Sequence, residues 1–401
     1  MAIGPDTLRR GMEKGGWLRL QPADHPQPMP PTHLLPPGDG VLISSGGSSG
    51  GRQVCLQPWS HLDQSAAATA LWLKGIGIDP SEVVLLNPLP MHHISGLMPW
   101  WRSRCWGGRH WQLSPALMKS PSELLGFCTA MPDWGRAPGV VSLVPTQLHR
   151  LMADPAGLAW LQACAVIWVG GAALPDALAD QARSDGLRLA PSYGATETAA
   201  MVAVQTPERF LAGERGCGRP LADVQLQVGA HGVLMVRASR LAVARWSERH
   251  PDRLQSLLDM EGWWCSGDAA SHSPRGGLHI QGRLDGAIHS GGDTVFPEQL
   301  EARLMRWVRE QSLEVEAVLL LPEPDPEWGE RLVALVRFAN TRDYERVLKS
   351  LRDGCRVWSA AERPRRWLIC PELTKTALGK WQRDRWSAWL RKQDNSREEF
   401  I

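Results

Sequence analysis

Residues 282–301 read Gly-Arg-Leu-Asp-Gly-Ala-Ile-His-Ser-Gly-Gly-Asp-Thr-Val-Phe-Pro-Glu-Gln-Leu-Glu. Arg283 and Asp285 precede an apolar step and a Gly291-Gly292 turn. Glycines at that point permit positive φ and let the backbone approach a ligand closely. Pro297 then opens an amphipathic helix, with Leu300, Leu304, Trp307 and Val308 on one face. The segment joins two regions of different style.

Upstream, short apolar runs alternate with helical patterns. Strands are expected at 41–43, 83–86, 140–144 and 165–169. Helices are expected at 60–74, where Ser60 and Asp63 make a Ser-x-x-Asp start, and at 146–152 and 175–184. This alternation, with Gly/Pro-rich crossings, predicts an α/β domain with largely parallel strands. Ligands of such sheets sit at the carboxyl ends of the strands. Residues 22–38 are rich in proline and read as an irregular arm. Downstream of Arg283, strands at 315–321 and 331–338 flank a turn containing Pro322, Pro324 and Pro326. Helices near 298–311 and 343–353 complete a small α+β domain.

Bulk composition narrows the function. The formal net charge of +2 gives no reason to expect nucleic acid or an anionic membrane as partner. No apolar run approaches the roughly 18 residues of a spanning helix, so no membrane insertion is expected. The start of the chain has no apolar signal-peptide core. The eight cysteines are scattered without a Cys-x-x-Cys pair, which argues against structural zinc or a disulfide framework and predicts a reducing, cytoplasmic setting. Twenty tryptophans against five Phe and two Tyr suggest that Trp fills core and groove positions. Oligomeric state, including a homo-oligomer, is left open.

Several segments can carry chemistry. Ser44-Ser45-Gly46-Gly47-Ser48-Ser49-Gly50-Gly51-Arg52 follows the first strand. Its backbone N–H groups can form an anion-binding nest, although a flexible turn reads equally well. No Gly-Lys-Ser/Thr closes it, so it is not a Walker loop. In Ser192-Tyr193-Gly194-Ala195-Thr196-Glu197, a Tyr ring can lie on a purine, a Thr hydroxyl can hold a phosphate and Glu197 can hold Mg²⁺. Asp268, after Gly262-Trp263-Trp264-Cys265-Ser266-Gly267, suits the paired hydroxyls of a ribose. Lys380, in Gly379-Lys380-Trp381-Gln382-Arg383, can stabilise charge on a reacting phosphate. His92-His93 lacks the further ligands a metal would need.

Taken together and in this order, these motifs resemble the acyl-adenylate-forming enzymes, the acyl-CoA ligase superfamily. The resemblance runs from about residue 42 to 385. It implies a large adenylating domain, residues 1–282, that binds ATP and the acyl substrate. It also implies a small mobile domain, residues 283–401, that carries the catalytic Lys380 and turns about Asp285. Thr196 and Glu197 join Lys380 as catalytic groups, with Glu197 as the Mg²⁺ ligand. Ser45, Ser48, Ser49 and Gly50 hold phosphates, while Gly170, Gly171, Tyr193, Gly194, Asp268 and Arg283 hold the AMP moiety. The family usually ends its phosphate loop with Pro-Lys, and Arg52-Gln53 stands here instead.

Within the superfamily, the 142–151 run, Gly170-Gly171-Ala172-Ala173 and the 282–292 segment look most like the o-succinylbenzoate–CoA ligases. That branch serves menaquinone and phylloquinone synthesis, with ATP, Mg²⁺ and coenzyme A. Its substrate carries two carboxylates, and arginine is the natural partner of the one that is not activated. Arg102 matches a substrate-binding arginine, and His93, Thr146, Gly171, Ser290 and Gly291 match positions around the acyl substrate. A ligase for another aromatic or medium-chain acid remains the alternative. A further alternative is a nucleotide-binding protein weakened in catalysis by the missing loop lysine.

Overall fold

The computed structural model describes residues 4–22, 28–45, 53–229, 232–273, 277–339, 343–375 and 381–398. The chain forms two compact units, Met1–Ile280 and Gln281–Ile401.

The first unit is built on a seven-stranded sheet. Its order is Arg219–Pro220, Ala200–Val204, Leu189–Ala195, Cys164–Val169, Gly139–Leu143, Val84–Asn87 and Arg109–Gln112. The last five run parallel; Ala200–Val204 returns antiparallel. Both faces are covered, which is why these strands read as continuous apolar runs rather than alternating ones. Val84, Leu86, Val141, Leu143, Ile167 and Val169 pack on one side, and Leu85, Val140, Val166 and Trp168 on the other. A five-stranded sheet, Trp17–Leu20, Gly40–Ser45, Gln53–Pro58, Ala244–Ser247 and His250–Gln255, and a four-stranded antiparallel sheet complete the unit. Trp59, Trp100, Trp101, Trp160 and Trp168 are buried, as their number in the sequence suggested.

Local details depart from the sequence reading. The helix expected at 60–74 is Trp59–Gly75, capped by Pro58 with no side-chain cap bond. Ser60 therefore lies inside the helix. Asp63 accepts a hydrogen bond from Trp101 Nε1 at 2.9 Å, a long-range partner that local spacing cannot show. Pro175 likewise stands as the N-cap of Asp176–Ser184 rather than within it.

The second unit is α+β. Strands Val315–Asp325 and Gly329–Phe338 pair antiparallel, joined on the far side of Gly329–Phe338 by Ile288–Ser290 and by parallel Arg366–Ile369. Helices Pro297–Glu310 and Tyr344–Gly354 cover one face through Leu300, Leu304, Val308, Val347 and Leu351. Trp386 and Leu390 of Arg383–Glu398 cover the other. Trp307 is half-buried and donates from Nε1 to the Ser350 carbonyl at 3.0 Å. Pro322 and Pro324 sit within the first long strand, not in the turn expected there. That strand lies at the sheet edge, where a missing N–H costs no ladder bond.

Candidate active site

The carboxyl ends of the parallel strands gather the expected residues of the first unit. Gly170 follows Cys164–Val169 and donates its N–H to the Leu143 carbonyl at 3.2 Å. Gly171 comes next, and Thr146 is exposed in the first turn of Pro145–Met152, after the neighbouring strand. Tyr193 lies near the end of Leu189–Ala195, half-buried. Gly194 has no alternative: a Cβ there would run into the Ala200 carbonyl.

Tyr193 donates its phenol O–H to Asp268 Oδ2 at 2.5 Å. Asp268 comes from another sheet and reaches Tyr193 through an irregularity. Strand Val233–Arg237 pairs Val233 with Ala269 and Met235 with Cys265, so residues 266–268 oppose Leu234 alone. Gly267 takes φ +72° inside that bulge, a conformation glycine adopts without strain. The Ser266 hydroxyl donates to the Leu234 carbonyl at 2.8 Å and accepts from the Asp268 N–H at 3.1 Å. The bulge thus re-aims a carboxylate at the aromatic ring. The ring and the carboxylate are thereby held together.

Thr196 and Glu197 occupy the turn after Tyr193-Gly194-Ala195, both half-buried. The turn is held from behind. Gln57 Nε2 donates to the carbonyls of Thr196 (2.8 Å) and Glu197 (3.2 Å), and Ala242 N donates to Glu197 (2.8 Å). Ser65 Oγ donates to Ala199 at 2.5 Å, and Arg240 donates to Thr198 and to Met201. These side chains leave no mark in the sequence, because their partners lie far along the chain. Only the buried polar character of Gln57 and Arg240, both 0% exposed, distinguishes them.

The start of the serine loop meets this turn at Cys55. Burial, and then the Glu197 carboxylate, push the Cys55 thiol well above its ordinary range, while a hydrogen bond with Ser45 acts in the opposite direction. Ser45 and Glu197 therefore share one neighbour. Among the described residues no group of three or more His, Cys, Asp or Glu forms a metal cage. One carboxylate is nevertheless a fitting protein contribution for Mg²⁺, which keeps several waters and takes its other ligands from phosphates.

Arg102 stands apart. It lies in helix Ile94–Trp106, 2% exposed, with its guanidinium 4.9 Å from the Trp168 ring. Its Nε and Nη2 have no hydrogen-bond partner among the described residues. Burial, and then the charge of Arg240, lower its pKa to about 9. The cation remains protonated near neutrality, with two of its three nitrogens unpaired among the described residues. His93, exposed, is the N-cap of the same helix, its ring 4.3 Å from that of His92. Burial, and then the His93 charge, lower His92 to about 4. Buried Asn87 pins this corner, donating to the Gly96 carbonyl at 2.8 Å and to Gln112 Oε1 at 3.1 Å.

Ser48, Ser49, Gly50, Arg52 and Lys380 lie outside the described residues. Arg283, Asp285, Ser290 and Gly291 belong to the second unit. Arg283 ends strand Leu278–Arg283, and Asp285 lies in a short 3₁₀ turn, Leu284–Gly286. Ser290 is 0% exposed, and its hydroxyl has no hydrogen-bond partner among the described residues. Gly291 donates its N–H to the Trp328 carbonyl at 2.9 Å.

Comparison with known proteins agrees with this geometry. Residues 57–232 match the family model for AMP-binding enzymes. The chain is similar to the 2-succinylbenzoate–CoA ligase of Salmonella typhimurium, 31% identical over 80% of this chain and 64% of that protein. It is also similar to the ligase of the same name from Escherichia coli, 31% identical over 77% and 60%. The chain thus spans less than two thirds of the length of these two relatives. The o-succinylbenzoate–CoA synthetase of Bacillus subtilis, solved with its acyl-adenylate intermediate, shares the fold. Its TM-score is 0.71 at 22% identity, covering 86% of this chain and 68% of that one. By its motifs, its fold and these likenesses, the chain is similar to the AMP-binding enzymes, whose family model residues 57–232 match.

Proposed function

We propose that the chain activates 2-succinylbenzoate with ATP and transfers the acyl group to coenzyme A. In the first step a carboxylate oxygen of the succinyl arm attacks the α-phosphorus of ATP. The bond to the β-phosphate breaks, giving acyl-adenylate and pyrophosphate. In the second, the coenzyme A sulfur attacks the acyl carbonyl carbon, the thiol proton is released, and AMP leaves.

Tyr193 and Asp268 receive the nucleoside, together with Gly170, Gly171, Gly194 and Arg283. Thr196 and the serine loop, Ser45 to Gly50, take the phosphates. Glu197 holds Mg²⁺, which when bound neutralises phosphate charge. Lys380 stabilises charge around the α-phosphate during adenylation. His93, Thr146, Gly171, Ser290 and Gly291 line the path of the acyl group and coenzyme A. Residues 1–282 and 283–401 divide the work, and rotation about Asp285 exchanges Lys380 for the Gly291-Gly292 turn between the two steps.

Arg102 carries the choice of substrate. A guanidinium this deeply buried, with Nε and Nη2 unpaired among the described residues, is several kcal/mol short of compensation. A substrate with a second carboxylate supplies the missing anion, whereas a monocarboxylate leaves the cation bare. Thioester formation across a panel of acids tests this. We expect 2-succinylbenzoate to exceed analogues lacking the ring carboxylate by about a hundredfold in kcat/KM, the scale for leaving one partner of a buried charge pair alone. Equal rates with monocarboxylates would contradict the assignment.

A further inference from the structure

Every backbone carbonyl of residues 196–201 has a side-chain hydroxyl, amide or guanidinium within hydrogen-bond distance. Gln57 serves Thr196 and Glu197, Arg240 serves Thr198 and Met201, Ser65 serves Ala199, and the Thr198 hydroxyl lies 2.6 Å from the Ala200 carbonyl. Turns of this length normally leave some carbonyls to water.

The reason lies in the backbone. Ala199 and Ala200 take φ of 51° and 87°. Non-glycine residues held in such conformations cost about 1–3 kcal/mol each and persist only where the surroundings over-determine them. Arg240 spans the strained pair. One arm of its guanidinium reaches the Thr198 carbonyl before it, and the other reaches the Met201 carbonyl after it, at 2.8 Å. Behind the fork, Nε donates to Asp223 Oδ2 at 2.6 Å, and Nη1 lies 3.4 Å from Ser65 Oγ. The fork is planar and rigid, so both carbonyls and the carboxylate are fixed at once. A lysine, with one ammonium at the end of a flexible stem, cannot reach all three.

Arg240 is 0% exposed, and its guanidinium is engaged by the Thr198 and Met201 carbonyls and by Asp223. The residues it holds are those that follow Thr196 and Glu197. We propose that Arg240, locked by Asp223, is a positioning residue for adenylation: it fixes the turn that aims Glu197 at the metal of the ATP complex. The inference rests on the assignment of Glu197 to Mg²⁺ made above.

ATP binding to the full chain, measured by calorimetry with Mg²⁺ and with EDTA, tests it. Two variants are compared with the parent, Arg240→Lys and the double variant Arg240→Met/Asp223→Leu. The double variant removes the buried guanidinium together with its half-buried carboxylate partner, so it leaves no orphan ion if the lysine variant fails to fold. Outer-shell partners of metal ligands are worth about 10–100-fold in metal affinity. In each folded variant we therefore expect Mg²⁺·ATP affinity to fall about tenfold, while metal-free ATP affinity stays within about threefold. A merely structural role would weaken both alike. Equal losses with and without Mg²⁺, or unchanged Mg²⁺·ATP affinity in a folded variant, would overturn the proposal. Should the parent protein bind ATP indifferently to Mg²⁺, the assignment of Glu197 fails first, and that result is read without any variant.

Discussion

Lys380→Ala is expected to slow adenylation by about a hundredfold or more, the effect of deleting one group that stabilises transition-state charge. Thioester formation from supplied acyl-adenylate should stay within about threefold, because the developing charge in that step lies at the acyl carbonyl rather than among phosphates. The local anchoring favours such a division. Arg383, three positions after Lys380, donates to the Leu320 carbonyl at 2.8 Å and to Glu301 Oε1 at 2.9 Å. Glu301 is itself buried and also accepts the Leu320 N–H at 2.9 Å. The chain beyond the lysine is thus tied to the second unit's own core. Pyrophosphate exchange reads the first half-reaction, and thiol consumption with synthetic acyl-adenylate reads the second. Equal losses in both would show that the lysine is not confined to adenylation.

Arg102→Met should separate stability from activity in opposite directions. Removing the guanidinium gives up its contact with Trp168, worth about 2 kcal/mol when desolvated. It also removes a buried cation with no acceptor on Nε or Nη2, whose desolvation costs several kcal/mol. The second effect is larger, so the melting temperature should hold or rise. The KM for 2-succinylbenzoate should increase about a hundredfold, since the ring carboxylate then loses its cationic partner. Thermal unfolding and steady-state kinetics on one preparation decide it. A destabilised variant with normal KM would make Arg102 a structural residue and remove the argument for a diacid.

Much of the first unit was legible because buried parallel strands advertise themselves. Val140-Val141 and Ala165-Val166-Ile167-Trp168-Val169 are apolar on both faces, and the structure covers both. Tyr193 and Asp268, far apart in the sequence, were each read as parts of a nucleotide site and meet at 2.5 Å. Features set by distant partners were not legible. Nothing near Ser60 says that Pro58 will start the helix, or that Asp63 will take the Trp101 indole instead of serving as a local cap. Helix Ile94–Trp106 contains Pro99, which a periodicity reading takes as a break. Pro322 and Pro324 are tolerated in a strand only because it lies at an edge, a property of the whole sheet. The clamp on residues 196–201 draws Gln57 and Ser65 from one distant stretch of the chain and Arg240 from another, and no spacing rule connects them to the turn.

The central claim is that a nucleotide and an organic acid react with each other in this molecule. Acid-dependent exchange of labelled pyrophosphate into ATP, with Mg²⁺ and without coenzyme A, tests it most directly. Exchange should be at background without acid and rise strongly with 2-succinylbenzoate. Absence of exchange with every acid tried would mean that the platform of Tyr193 and Asp268 holds a nucleotide without activating anything.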